Sequence, residues 1–130
     1  MIAFGGEGRT LMKKIVGVVA AFCWLAAGPR VVHGAEQTWT GAISDSLCGA
    51  SHDGMRKKGD KVTDRECTIA CVNYQTPGAP TFVFVSGTRV YPIKNQNFVG
   101  IGRRSGAPIR LTGELDTAGV ITITKLEAVR

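Results

Sequence analysis

Four side chains carry most of the chemistry in this sequence: Cys48, His52, Cys67 and Cys71. Cys48 and His52 stand four residues apart, and Cys67 and Cys71 repeat the interval. On a helix that spacing places two side chains on the same side. If Cys48 and His52 occupy a helical turn, both pairs converge on one ion. Three thiolates and one imidazole make a tetrahedral zinc set, and copper(I) accepts the same soft sulfurs. His52 would then bind as neutral imidazole, its other nitrogen held by Asp53 or a backbone carbonyl. Met55 would offer a thioether to copper. The pattern lacks the C-x2-C knuckle of familiar zinc modules.

Oxidation is the competing use of the same thiols. Exported cysteines usually oxidise, and a small domain gains from a staple. A regular helix does not readily close a disulfide between positions four apart. Cys48 is therefore expected to pair with Cys67 or Cys71, fastening the exit of the first strand to the helix. Such a loop contributes about 3 kcal/mol by the chain-entropy estimate. One thiol is then left over, to be inert, intermolecular or reactive. Both uses stay open.

Other chemistry is less well supported by the residues. A thiol nucleophile with His52 as base would need an oxyanion hole and a third orienting group, and neither is legible. Cys67-Thr68-Ile69-Ala70-Cys71 is not the C-x-x-C of a thioredoxin-like centre. Ser44, Asp45 and Ser46 read as turn and capping residues rather than as parts of a hydrolytic triad. Gly100–Gly106 does not open a βαβ unit and lacks the Lys-Ser ending of a phosphate loop. Arg56-Lys57-Lys58 and Arg103-Arg104 read as solvated faces, and no nucleic-acid partner is expected.

The elements that must position the four residues follow from periodicity and turns. Thr63-Asp64-Arg65-Glu66 is a capping box, so a helix should begin there and run to about Asn73 or Tyr74. It should stop before Thr76-Pro77-Gly78. Strands are expected over Thr38–Ser44, Thr81–Val85, Arg89–Ile93, Pro108–Asp116 and Val120–Val129. Gly41 permits a bend in the first strand, and Pro92 confines its own strand to an edge or an end. A short helical turn is expected within Asn95–Arg104. Trp39, Phe82, Phe84, Tyr91 and Phe98 should serve the core. The result is a mainly β fold: a small five-stranded OB-like barrel with a helical insertion between strands one and two. The alternative is a small β-sandwich with the same insertion.

The N-terminal third reads as an address. Lys13-Lys14 precedes an apolar stretch from Ile15 to Gly28, and Val32-His33-Gly34-Ala35 offers small residues for cleavage. This is the arrangement of a secretory signal peptide. The apolar run falls short of the roughly 20 residues a membrane span needs. Residues 1–34 are therefore an extension and signal peptide, and residues 35–130 a single mature β-rich domain. No stable membrane anchor is expected after cleavage. The whole chain of 130 residues carries a formal charge of +6. From residue 35 onward twelve Lys and Arg face nine Asp and Glu, a net +3. Half of the basic balance thus belongs to the removable segment.

The segments WTGAISDSLCGASH (residues 39–52), DRECTIACV (64–72) and TFVFVSGTRVYPIKNQNFVG (81–100) resemble a family of small exported bacterial proteins of uncharacterised function. The resemblance implies export to the periplasm or medium and a shared fold, and it supplies no activity. The expectation is a non-enzymatic binding module holding zinc or copper through its Cys/His cluster. A disulfide-stabilised interaction domain without metal, recognising an unknown protein or small ligand, is the alternative.

Overall fold

The computed structural model describes Gly28, residues 34–74 and residues 76–130. Apart from Gly28 and Gly34, the expected signal peptide, with Cys23, lies outside the described residues. From Gly34 onward the chain forms one body. Its elements are β1 (Glu36–Asp45), a short 3-10 turn (Asp53–Met55), α1 (Asp64–Val72), β2 (Phe82–Ser86), β3 (Arg89–Pro92), β4 (Ile109–Leu115) and β5 (Ile121–Ala128).

The five strands make one antiparallel sheet in the order β3-β2-β1-β4-β5. β1 is central because it changes partner along its length. Glu36 to Gly41 pair with β4, and Ala42 to Asp45 pair with β2. Gly41 sits at the changeover, where any Cβ would run into the Val85 carbonyl oxygen and come within 2.8 Å of the Phe84 ring. The bend expected at Gly41 is thus a crossing point of two ladders.

The two ends of the sheet meet at one place. Ile93, just past β3, forms a parallel bridge with Ile121 of β5. The Lys94 amide donates to the Ile121 carbonyl at 2.8 Å. Asn95 extends the seam: its Nδ2 donates to the Ile123 carbonyl and its Oδ1 accepts from the Ile123 amide. This is the connectivity of an OB-like arrangement, with α1 inserted between β1 and β2. A two-sheet sandwich is not what forms.

Ile43, Phe84, Ile109, Leu111, Ile121 and Ile123 fill the core, each at most 2% exposed. The tilted Trp39–Tyr91 pair, with centroids 6.4 Å apart, packs against its rim. Alternation along β5 breaks at a bulge: Thr112 pairs with Lys125 but Gly113 with Ile123. The extra residue reverses the parity, so Leu126 joins Ile121 and Ile123 inside. Pro92 ends the edge strand β3, opposite Val83, where its missing N–H costs least.

The helical turn expected within Asn95–Arg104 does not form. The segment is a chain of turns, with Gly100 and Gly106 at positive φ. Gly106 matters most, because its amide donates to the Ile43 carbonyl at 2.9 Å. A Cβ there would lie 2.5 Å from the Arg65 nitrogen, so only glycine lets this loop lie against the start of α1.

Candidate metal centre

The end of β1 enters a buried corner. Ser44 and Asp45 are both buried, and Asp45 shows no exposed surface. One carboxylate oxygen of Asp45, Oδ1, accepts the backbone amides of Leu47 (3.1 Å) and Cys48 (2.9 Å). The Asp45 carbonyl accepts the Gly49 amide, and Gly49 takes φ +59° to complete the reversal. These bonds are those of an Asx turn, and they aim Cys48 back toward the helix. Ser46 pins the turn from outside, exchanging two hydrogen bonds with the backbone of Thr81.

Cys48 and His52 do not lie on a helical turn. Cys48 is in the reversal, and His52 is the residue that caps the 3-10 turn. Their approach is set by hydrogen bonds instead. Ser44 Oγ donates to the Gly49 carbonyl at 2.7 Å and lies 3.4 Å from His52 Nε2. That same Nε2 is 3.0 Å from Thr68 Oγ1 and 3.4 Å from Asp45 Oδ2. On the far side, His52 Nδ1 is 3.6 Å from Asp64 Oδ1. The imidazole is thus wedged between strand and helix, only 6% exposed.

Asp53 is not the orienting partner of His52; it is 90% exposed and faces Arg56. Asp64 is the carboxylate nearest Nδ1, at 3.6 Å, because the 3-10 turn carries Asp53 outward while α1 begins beside the ring. Arg56 Nη2 holds Asp64 Oδ1 at 2.6 Å, and Nη1 donates to the Val62 carbonyl. Arg56 is therefore a tether between the turn and the helix rather than part of a solvated basic face. Met55 is 53% exposed on the outer surface of the turn.

The helix brings the other two thiols. Thr63 and Glu66 form the full capping box, which fixes where α1 starts and so which residues face β1. Cys67 and Thr68 are buried and Cys71 half-buried. The ligand atoms of Cys48, His52 and Cys67 lie within 4.8 Å of one another, as do those of Asp45, Cys48 and Cys71. Sulfurs on one tetrahedral zinc stand about 3.8 Å apart, from Zn–S bonds of about 2.3 Å. Cys48 is common to both groups; His52 and Cys67 stand with it in one, Asp45 and Cys71 in the other.

The disulfide expected between Cys48 and Cys67 or Cys71 is not formed; the three described cysteines are free thiols. Cys48 is not directed at a single partner. Its sulfur lies within 4.8 Å of the Cys67 sulfur in one group and of the Cys71 sulfur in the other.

Electrostatics in the corner oppose free thiolates. Burial, then the charge and hydrogen bond of Asp45, push the Cys48 thiol well above its ordinary range. Burial and the nearby Asp45 and Cys67 also raise Cys71. A nucleophilic cysteine needs the opposite environment, electropositive and partly open. A cation reverses the balance, because it stabilises the thiolates and the carboxylate together and displaces the thiol protons.

No family model, curated relative or solved structure matches the chain. The site is therefore read from its own geometry. Three of its residues escape the spacing argument: Asp45, Thr68 and Asp64. Asp45 carries the only legible signal, an Asp placed to cap the turn that holds Cys48.

Proposed function

We propose that the protein is a small exported binding module, non-enzymatic, whose Cys48, His52, Cys67 and Cys71 hold zinc or copper. The convergence of three free thiols and a buried imidazole at the junction of β1 and α1 carries this reading. Export rests on the pattern of residues 13–35 and agrees with the motif resemblance. The OB-like sheet serves as the rigid support, since β1 and α1 carry the candidate ligands on regular elements.

Intact and native mass spectrometry of protein purified without reductant or chelator tests this directly. Free thiols are alkylated after denaturation and mapped to their peptides. One bound ion lost on denaturation, with Cys48, Cys67 and Cys71 all alkylated, is the expected result. A two-hydrogen mass deficit, one alkylated site among the three and no ion after zinc or copper(I) loading would overturn it. The disulfide-stabilised interaction domain would then be the better reading.

A further inference from the structure

One atom of the corner has no partner. Asp45 Oδ2 is fully buried and is the single buried side-chain oxygen or nitrogen without a hydrogen bond among the described residues. Its sister oxygen is already engaged by two backbone amides. The nearest basic nitrogen, His52 Nε2, is 3.4 Å away and lies closer to Thr68 Oγ1. An unpaired buried carboxylate oxygen is costly, and in a native protein it calls for an occupant that compensates it. The sulfurs of Cys48 and Cys71 lie within 4.8 Å of a carboxylate oxygen of Asp45 and of each other.

We propose that the Asp45 carboxylate is a direct ligand of an ion held with Cys48 and Cys71, as one donor of a four-coordinate set, and that it makes the site one for a divalent zinc-class cation rather than copper(I). The inference rests on the metal-module reading and sharpens it. Copper(I) takes soft sulfur donors and gains little from a carboxylate, whereas zinc accepts carboxylate oxygen, imidazole and thiolate alike. Charge points the same way. Two thiolates and one carboxylate bring three formal negative charges into a corner with little water. A divalent ion neutralises twice as much of that charge as a monovalent one.

The competing use of Oδ2 is a plain ion pair with a protonated His52. That use would make Asp45 matter for stability and leave zinc binding untouched.

Asp45→Asn separates the two. The amide oxygen can still accept the Leu47 and Cys48 amides, so the turn keeps its cap while the charged ligand is removed. Zinc and copper(I) affinities are measured by competition with chromogenic chelators, on wild type and variant, with circular dichroism as the folding check. The expected result is a zinc affinity at least 10-fold weaker in the variant and a copper(I) affinity within about 3-fold of wild type, the scale on which single ligands act. Equal zinc affinity in the two proteins would overturn the ligand role while the thiol site stood. An equal loss for copper(I) would overturn the selectivity. Failure of wild type to bind either ion would overturn the metal-module reading itself. If the variant does not fold, the Asp45 carboxyl carbon signal of wild type, labelled with carbon-13, decides. A shift on zinc addition supports ligation, and an unmoved signal overturns it.

Discussion

Thr68 Oγ1 and His52 Nε2 are 3.0 Å apart, and through that contact the helix holds the imidazole that precedes the 3-10 turn. Neither side chain has water to fall back on, since Thr68 is fully buried. Thr68→Val keeps the shape and deletes the hydroxyl, so it should destabilise the metal-free protein by about 1–3 kcal/mol. Urea unfolding measures the effect. An unchanged midpoint would show that Thr68 does not position His52.

Gly41→Ala tests the crossing of the two ladders. The added methyl has no space beside the Val85 carbonyl and the Phe84 ring. Overpacking of this kind costs about 1–3 kcal/mol, and a backbone obstacle places Gly41 toward the upper end. The urea midpoint should fall with an unchanged slope. An unchanged midpoint would mean that β1 can bend elsewhere.

Asn95 is the polar clasp of the seam between the sheet ends. Asn95→Leu leaves the amide and carbonyl of Ile123 without the partners they have now. The expected cost is about 2 kcal/mol, with faster hydrogen exchange at Ile123 than at Leu111 in the sheet centre. Uniform exchange across both residues would argue that the seam does not open by itself.

Glu66 gives a prediction in pH. Its carboxylate accepts the Thr63 amide first and the Thr63 hydroxyl second, each at 2.8 Å, and these bonds hold its pKa below the usual range. A carboxyl with a lower pKa in the folded state stabilises the protein above its unfolded value. That contribution is lost as the pH falls through the folded one. Glu66→Gln should therefore lower the urea midpoint at pH 7, and the deficit should shrink as the pH falls through the folded value. A deficit of equal size at every pH would assign the effect to shape rather than charge.

The sequence made some of this legible for clear physical reasons. The capping box, the spacing of Cys67 and Cys71, and the five strand cores depend on neighbours in the chain, and they appear where periodicity puts them. What escaped depends on distant contacts. Asp45 reads correctly as a turn residue through Oδ1, but nothing local tells that its carboxylate shares a corner with two thiols. Leu126 is buried only because a bulge reverses the parity of β5. His52 has Asp64 rather than its neighbour Asp53 beside Nδ1, a choice made by where α1 begins. The turn chain of Asn95–Arg104 replaces a helix because the loop must follow β5 and then the start of α1.

The change of partner within β1 also dictates an order of events. Its first half waits for β4, where Glu36 meets Glu114, and its second half for β2, where Asp45 meets Phe82. Neither is a near neighbour along the chain, and such non-local pairing is slow. The strand emerges first and is completed last. Until β2 has paired with the second half of β1, from Ala42 to Asp45, Cys48 has no fixed position relative to Cys67 and Cys71. The three thiols thus pass through a period in which any of them can be captured by an oxidant or a metal, and the finished corner records which came first.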